Sequence, residues 1–434
     1  MTGALPCLGD LPRVVVVGGG FAGVETALAL QSESVRTTLI DRRNFTLFQP
    51  LLYQVATGSL SPANIATPLR LLFAHRTNTR VVLDQVVGFD LGSRRVLMQN
   101  DAISFDYLVV ACGARHHYFG NSHWERFAPG LKTLEDAEDI RRRIFQALEH
   151  ANQAADPLIK QRLLTFVIVG GGPTSVELAG AVAEIVNQAM QSSFRPPKAV
   201  YQRIILAEAA GQLLGGFSTA SAEEAHRALR SMGVDVRLHC RVVDVNEVGV
   251  VLTDEHGEHR IAAATILWGA GVQASPIAAL LAQATGCSVG RDGRIPVESD
   301  CSINGHPHVF ALGDMASCTQ DGKPLPGTAQ VAMQQGDHVV KVILRLVSGQ
   351  TGFLPFRYRN RGSMATIGRR LAVADIGRLH LRGRLAWLTW LTLHLAKLIR
   401  FENRLLVLIQ WAWSYATANR SASLITGEDP DRRI

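Results

Sequence analysis

Short, almost wholly apolar runs alternate along the chain with longer stretches in which apolar and polar positions recur at helical spacing. Two of the apolar runs, Val14–Val17 and Leu163–Val169, lead directly into three consecutive glycines and then into helix-like sequence. Runs of this kind, bounded by glycine, are typical of strands that are buried on both faces of a parallel sheet. The pattern predicts an α/β protein with doubly wound parallel sheets.

The two runs belong to a degenerate internal repeat. RVVVVGGGFAGVE at 13–25 and TFVIVGGGPTSVE at 165–177 each combine a strand-like run, three glycines, three variable residues and Val-Glu. Each copy continues into a helix-like stretch and then into a second strand that ends in an acid, Asp41 in the first copy and Glu208 in the second. Two such units in one chain predict two Rossmann-like dinucleotide-binding modules.

The first glycine turn has all three glycines of the GxGxxG pattern. Gly18 permits a tight turn, Gly20 lets a pyrophosphate approach the backbone, and Gly23 allows the helix to pack closely on the strand. Asp41 follows Gly18 by 23 residues, where a carboxylate accepts hydrogen bonds from ribose hydroxyls. The dinucleotide-binding candidates of this copy are Gly18, Gly20, Phe21, Ala22, Gly23 and Asp41.

The second turn keeps the two glycines nearest the phosphates and replaces the third by Ser175. That position concerns helix–strand packing, where a small residue still fits. Glu208 comes 38 residues after Gly170 because the segment 192–202, with its proline pair, inserts a loop. An acid without a basic neighbour favours a free ribose, and hence NADH over NADPH. The candidates of this copy are Gly170, Gly172, Pro173, Thr174, Ser175 and Glu208.

Glu177 has two interpretations that spacing alone does not separate. It is a glutamate in the first turn of the second helix, where the helix dipole stabilises a negative charge, and Glu25 holds the same place in the first copy. It is also placed to position a redox ring or to pass a proton. We therefore treat Glu177 as both a cofactor-binding and a catalytic candidate.

Three further strand ends carry small or acidic residues. YLVVACGA at 107–114 and TILWGAGV at 265–272 resemble each other, so the repeat extends beyond the glycine turns. HVFALGD at 308–314 is a strand that ends in Gly-Asp, which is suited to bonding a sugar-like chain. The candidates from these strand ends are Ala111, Gly113, Ala270, Gly271 and Asp314.

Composition narrows the class of protein. The 434 residues are 47% hydrophobic and 19% charged, with 39 glycines, which fits a glycine-rich α/β chain of two or three domains. The six cysteines form no CxxC pair, so we predict no metal site and no redox dithiol close in sequence. The net charge of +7 is concentrated towards the C-terminus. Its basic residues are interleaved with Leu and Trp, which argues against a nucleic-acid partner.

The ordered set GGGFAGVE, CGA, GGGPTSVE, WGAG and ALGD resembles the two-dinucleotide-domain flavoprotein reductases, in which the first module holds FAD and the second holds NAD(P)H. The finer match is to the type II, non-proton-pumping NADH:quinone oxidoreductases. Four stretches carry this resemblance: FQPLLYQVATGSLSPANIATPLR (48–70), AQVAMQQG (329–336), RNRGSMATIGRRLAVADI (359–376) and WLTWLTLHLAKLIRFENRLLVLIQW (387–411).

The resemblance implies a respiratory-chain flavoenzyme with a non-covalent FAD, NADH as donor and a membrane quinone, menaquinone or ubiquinone, as acceptor. It places Gln49 near the flavin and Ala329 beside it, with Gln330 and Gln334 as the quinone-site candidates. Amides hydrogen-bond quinone carbonyls without adding a charge to an apolar tunnel. The chain departs from the family pattern at Cys112, where Thr is usual, and at Ser175.

The predicted domain order follows the repeat. We expect an FAD-binding domain whose first part is 1–118, an NADH-binding domain at 119–285, the second part of the FAD domain at 286–355, and a C-terminal membrane-anchoring and quinone-site region at 356–434.

The C-terminal region has the composition of an interfacial helix. Leu385–Ile399 is strongly apolar but shorter than a membrane span, and basic residues and tryptophans flank it. We expect it to lie on a lipid surface. A homodimer interface is the alternative, and the same helices could serve both roles. With the first strand starting by Arg13, no room is left for a signal peptide. We therefore expect a peripheral protein on the cytoplasmic face of the bacterial inner membrane.

Two other functions remain open at this point. A sulfide:quinone oxidoreductase shares the membrane end, but it needs cysteines beside the flavin, and 319–434 contains none. A redox-responsive flavoprotein that acts through partner binding would show negligible turnover and would tolerate loss of Gln330 and Gln334.

Overall fold

A computed structural model describes residues 11–75, 77–192, 202–350, 352, 355–417 and 424–426. Most of the predicted loop at 192–202 lies outside this described part. The helices are α1 (Phe21–Leu30), α2 (Leu52–Ala56), α3 (Pro62–Ile65), α4 (Leu69–Leu72), α5 (Leu134–Gln153), α6 (Pro157–Leu163), α7 (Pro173–Ser192), α8 (Thr219–Ser231), α9 (Ile277–Thr285), α10 (Ala329–Val347), α11 (Gly383–Lys397) and α12 (Phe401–Thr417). Short 3-10 segments are Gln49–Leu51, Ser122–Arg126 and Gly313–Met315.

The strands up to the second glycine turn are β1 (Arg13–Val17), β2 (Arg36–Asp41), β3 (Phe45–Leu47), β4 (Ala66–Pro68), β5 (Thr79–Leu83), β6 (Val86–Asp90), β7 (Arg95–Met98), β8 (Ala102–Ser104), β9 (Tyr107–Val110), β10 (Ala114–His116) and β11 (Thr165–Val169). The later strands are β12 (Arg203–Ala207), β13 (Val234–Arg237), β14 (Arg241–Val245), β15 (Gly249–Asp254), β16 (Gly257–Ala262), β17 (Thr265–Trp268), β18 (Val272–Ala274), β19 (Ile295–Pro296), β20 (Ser302–Ile303), β21 (His306–Ala311), β22 (Ala316–Ser317), β23 (Thr319–Gln320), β24 (Lys323–Pro324), β25 (Ser363–Ile367), β26 (Leu371–Ile376) and β27 (Leu379–Arg382).

The chain divides into two compact units. The first comprises 1–47, 66–115 and 272–360, and the second comprises 48–65, 116–271 and 361–434. Each unit contains one copy of the glycine-turn repeat, so the predicted pair of Rossmann-like modules is confirmed. The second unit also includes the C-terminal helices and the short excursion at 48–65.

The first unit is built on a six-stranded sheet in the order β20-β21-β9-β1-β2-β5. All neighbours pair in parallel except β20 and β21. Val14 and Val16 face one hydrophobic cluster, formed with α1 and α10, while Val15 and Val17 face another, formed with α9 and β6–β8. Both faces of β1 are therefore buried, which is why its sequence is a continuous run of valines.

The second unit repeats the same start on a four-stranded sheet in the order β13-β12-β11-β17, in which all neighbours pair in parallel. Val167 and Val169 of β11 pack in a cluster with the antiparallel strands β14–β16. In both sheets the strand order reverses beside the first strand of the repeat, and open α/β sheets bind ligands at the carboxyl end of such a switch point.

The C-terminal part of the second unit consists of the antiparallel sheet β25-β26-β27 followed by α11 and α12. Helix α7 approaches the turn after β25 so closely that a Cβ on Gly180 would lie 2.6 Å from the backbone nitrogen of Gly368. Among the described residues no helix is both long and apolar enough to cross a bilayer.

Candidate functional site

The first glycine turn is fixed by contacts with the strand end beside it. Gly18 has a φ of +105°, and a Cβ added there would lie 2.5 Å from the carbonyl oxygen of Ala111. A Cβ on Gly23 would collide with the carbonyl oxygen of Gly18. Both positions therefore require glycine for backbone reasons, as the sequence predicted for the tight turn and for close packing of α1 on β1.

Gly20 differs from both because, among the described residues other than its chain neighbours, no heavy atom lies within 4 Å of a Cβ built on it. It caps α1, followed by Phe21 and the buried Ala22, and the N–H groups at this helix start are suited to an anion. Beside this open space Asp41 accepts a hydrogen bond from the backbone nitrogen of Gly19 at 2.5 Å. The turn thus combines open space at a helix start with a carboxylate at the end of β2, which fits a bound dinucleotide.

Cys112, which stands where the family pattern has Thr, points back into the first unit. Its thiol donates to the carbonyl of Val17 at 3.6 Å, and its backbone nitrogen donates to the sulfur of Met315 at 3.2 Å. Burial raises the pKa of this thiol to about 12. The thiol therefore makes an internal hydrogen bond of the kind a Thr hydroxyl would make. Gly113 follows it with a φ of +66°.

Asp314 lies in the short 3-10 segment after β21, at the carboxyl end of the same sheet as the first turn. Its neighbour Gly313 has a φ of +68° and donates its N–H to the side-chain oxygen of Gln335 at 2.7 Å. Gln335 is almost completely buried, and the sequence analysis missed it. The sequence signal for this place is helical spacing, since Gln335 lies four residues from both Val331 and Val339 on the buried face of α10.

The second glycine turn repeats the geometry of the first. Gly170 has a φ of +106°, and its Cβ would lie 2.9 Å from the backbone nitrogen of Ala270. Gly172 has open space around it, as Gly20 does. Ser175, at the third place, is buried, and its hydroxyl donates to the carbonyl of Val169 at 3.4 Å. Serine therefore fits the packing position because its one polar group has a backbone partner.

Glu208 follows β12, whose last residue pairs with the last residue of β11. A Cβ on Gly171 would lie 2.7 Å from the carboxylate of Glu208, whose other oxygen accepts from the backbone nitrogen of Ala210 at 2.6 Å. The longer sequence spacing therefore does not displace the acid from the turn. Pro173 and Thr174, the remaining candidates of this copy, are exposed at the start of α7.

Glu177 lies one turn further along α7, and its carboxylate accepts from the backbone nitrogen of Thr366 at 3.4 Å. Burial raises its pKa to about 8, although part of the side chain remains accessible to solvent. The surrounding protein penalises the charged form more than the single long hydrogen bond favours it. The carboxyl group therefore holds its proton at neutral pH.

A buried polar network follows from Thr366 towards α12, and the sequence analysis did not predict it. The hydroxyls of Thr366 and Tyr53 are 3.0 Å apart, Gln54 donates to the Tyr53 hydroxyl at 2.9 Å, and the Trp411 indole donates to Gln54 at 2.7 Å. Burial, with the nearby Glu177 charge, raises the pKa of Tyr53. Tyr53, Gln54 and Trp411 also line a cavity of about 40 Å³, which has room for water.

The predicted glutamines are placed differently from one another. Gln334 donates to the carbonyl of Arg359 and accepts from its backbone nitrogen, both at 3.0 Å. Gln330, one turn earlier on α10 and next to Ala329, is half-buried. Gln49 is exposed in the second unit and donates to the carbonyl of Lys132 at 3.2 Å. The amide of Gln334 thus holds a neighbouring backbone segment.

Helices α11 and α12 each bury one face and expose large apolar side chains on the others. Trp390 and Trp411 are buried, with ring centroids 5.8 Å apart. Phe401 is 74% exposed and Leu385 69% exposed. The other exposed large apolar residues of these helices and the turn between them are Leu388, Leu393, Ile399, Leu405, Leu406, Leu408, Ile409 and Trp413. Apolar exposure on this scale marks a surface that contacts a partner or a membrane.

Comparison with known proteins identifies the family. The pyridine nucleotide-disulphide oxidoreductase model matches residues 12–336. The type II NADH:quinone oxidoreductase NdhA of Mycobacterium tuberculosis is 40% identical over 436 residues, covering 98% of this chain and 92% of the relative.

Among solved structures, NDH2 from Plasmodium falciparum in complex with NADH matches with a TM-score of 0.84 at 18% identity, covering 94% of this chain and 98% of that one. The sulfide:quinone oxidoreductase from Aquifex aeolicus matches at 0.71 and 17%, covering 95% and 92%. The fold alone therefore does not separate these two classes, whereas the 40% sequence identity does. The chain belongs to the type II NADH:quinone oxidoreductases, within the pyridine nucleotide-disulphide oxidoreductase family.

Proposed function

We propose that this NADH:quinone oxidoreductase works through a non-covalently bound FAD held by the first unit. The open space over Gly20, at the start of α1 and beside Asp41, supports this assignment. Glycine at 18 and 23 keeps the turn tight, and Asp314 lies at the carboxyl end of the same sheet. FAD, when bound, supplies the two-electron chemistry that joins a hydride donor to a quinone.

NADH occupies the second unit in this proposal, over the matching turn. Gly172 leaves open space for the pyrophosphate, and Glu208 is placed to accept hydrogen bonds from ribose hydroxyls. The nearby Arg237 is paired with Asp235 at 2.9 Å, so its charge is already matched by a carboxylate. A carboxylate at this point repels a 2′-phosphate and favours NADH over NADPH.

Glu177 is the proposed acid of the quinone reaction. Reduction of a quinone by NADH takes up one proton from solution for each turnover, in addition to the hydride. A carboxyl group with a pKa of about 8 holds a proton at neutral pH and is acidic enough to release it. Gln330 and Gln334, one turn apart on α10, are the proposed quinone ligands.

The exposed apolar side chains of α11 and α12 are the proposed contact with the lipid surface, on the cytoplasmic face of a bacterial inner membrane. Arg382, Arg384, Lys397 and Arg400 lie at or next to the ends of these helices and would meet anionic head groups. A peripheral position gives the enzyme access to a quinone dissolved in the bilayer. The same helices could also support a homodimer, and light scattering in detergent tests that directly.

Steady-state kinetics with a short-chain quinone test the proposed function. Purified protein that contains FAD should oxidise NADH with a much higher kcat/KM than NADPH, with one quinone reduced per NADH. If flavin-loaded wild-type protein did not oxidise NADH with the quinone as acceptor, the proposal would be contradicted. Turnover with sulfide in place of NADH would favour the sulfide:quinone class instead.

A further inference from the structure

The segment His117–Phe119 is hydrogen-bonded to the end of β17 and to the loop that follows it. The Trp268 indole donates to the carbonyl of His117 at 3.1 Å, and the His117 backbone nitrogen donates to the carbonyl of Gly271 at 3.3 Å. Between His117 and Phe119, Tyr118 is buried against Trp268, and its hydroxyl donates to the carbonyl of Ala128 at 2.9 Å. The segment therefore has a fixed position beside this loop.

Phe119 itself is held in an unfavourable conformation. Its φ is +50°, in the left-handed region that bulky side chains rarely adopt, and its side chain is 61% exposed. An aromatic residue that is both strained and exposed contributes little to the core. Strain of this kind persists where the surrounding structure imposes it, and it clusters at functional sites.

The ring of Phe119 covers the backbone of Gly271. A Cβ on Gly271 would lie 2.8 Å from the tip of the ring, and Gly271 has a φ of +81°. The centroid of the Phe119 ring lies 4.6 Å from that of His117 and 6.4 Å from that of Trp268. Glycine at 271 thus leaves room for an aromatic ring at the carboxyl end of β17.

The position of this ring along a bound dinucleotide follows from the strand order β13-β12-β11-β17. Glu208, at the end of β12, marks the adenosine ribose, and the turn after β11 marks the pyrophosphate. A dinucleotide that passes these two points continues towards the end of β17. The part that arrives beside Phe119 is the nicotinamide half.

We propose that Phe119 is a binding residue for the nicotinamide ring of NADH, with its own ring as the apolar surface against which the nicotinamide rests. This proposal depends on the proposed placement of NADH over the second turn. Aromatic faces attract flat heteroaromatic rings such as nicotinamide. The adenosine half lies at the end of β12, two strands away from β17, so it does not reach Phe119.

The test compares two competitive ligands that share every part except the nicotinamide ring. In flavin-loaded Phe119→Ala, the inhibition constant of NAD⁺ and the KM of NADH should rise about three- to tenfold, the range expected from loss of one aromatic contact. The inhibition constant of ADP-ribose should stay within about twofold of wild type. Phe119→Tyr, which retains the ring, should restore the affinity for NAD⁺.

A contrasting variant separates this inference from the proposed NADH site. Glu208→Ala should weaken NAD⁺ and ADP-ribose together, because Glu208 acts on the half that the two ligands share. An unchanged ratio of the two inhibition constants in Phe119→Ala would overturn the role of Phe119, even with Glu208→Ala behaving as stated. Unchanged binding of both ligands in Glu208→Ala would instead contradict the placement of NADH.

Discussion

Replacing Glu177 by glutamine removes one titrating proton while keeping the size and hydrogen-bonding shape of the side chain. Burial raises the pKa of Glu177 to about 8, against an ordinary value of 4.5. At pH 7 about nine-tenths of the carboxyl groups are then protonated, and at pH 9 about one-tenth, whereas an ordinary glutamate would be about 0.3% protonated at pH 7. The rate of a step that needs the acid form should therefore fall about tenfold between pH 7 and pH 9.

The assay is stopped-flow reoxidation of the pre-reduced enzyme by a short-chain quinone between pH 6 and pH 10. Wild type should show a single decline with a midpoint near pH 8. Glu177→Gln should be slower, by about a hundredfold as is typical for loss of a general acid, and should not show that decline. Glu258→Gln, at an exposed glutamate of the same unit, serves as the matched control and should retain the wild-type profile.

The reductive half-reaction provides the internal comparison. Flavin reduction by NADH does not need an acid, so its rate should change little in Glu177→Gln. The same pH midpoint in Glu177→Gln as in wild type would refute the assignment of the titration to Glu177. A wild-type midpoint near the ordinary value of a glutamate would refute the effect of burial.

The other predictions concern stability, the turns, the donor and the membrane. Because the folded chain keeps the Glu177 proton and the unfolded chain releases it, this proton should lower stability by about 1.4 kcal/mol per pH unit between about pH 4.5 and pH 8. In urea titrations Glu177→Gln should lack this contribution. Gly23→Ala should lower the yield of folded protein, since its Cβ meets a carbonyl, whereas Gly20→Ala should fold and release FAD more readily, as measured by flavin fluorescence. Glu208→Arg should shift kcat/KM towards NADPH, and unchanged NADH kinetics would contradict the ribose assignment. Replacing Leu385 and Phe401 together by glutamine should release the protein from liposomes, while the same change at the exposed Leu158 and Ile159 of α6 should leave flotation with liposomes intact.

Substitution is a sharper test of membrane binding than truncation of the chain at Arg382. Truncation would remove Trp390 and Trp411, which are buried in the second unit, together with the exposed face. Loss of membrane binding in a truncated chain would then also follow from unfolding. Substitution of exposed residues changes the surface and leaves the buried tryptophans in place.

Local sequence patterns predicted the two Rossmann-like modules, the glycines of their turns and the acid at the end of the next strand. Gly18, Gly20 and Gly23 act within a few residues of one another, and the acid at the end of the next strand is placed by strand pairing, so spacing suffices to find them. The insertion before Glu208 altered the spacing and left the pairing of strand ends unchanged.

Residues whose role depends on distant partners were not predictable in this way. Tyr53, Gln54 and Trp411 form a network between segments that are more than 350 residues apart. The raised pKa of Glu177 depends on burial in the folded protein, and a backbone hydrogen bond to its carboxylate comes from Thr366, 189 residues further along the chain. Gln335 differs from Gln334 only in the face of α10 that it occupies, and tertiary packing decides which of them holds the Gly313 backbone.

Anaerobic addition of NADH to the purified protein tests whether electrons pass from NADH through a bound flavin to a quinone. One equivalent of NADH should bleach the oxidised flavin absorbance, and one equivalent of a quinone analogue should then restore it with formation of quinol. Both changes should occur within single turnovers. A flavin that NADH does not reduce, or a reduced flavin that the quinone does not reoxidise, would contradict this electron path.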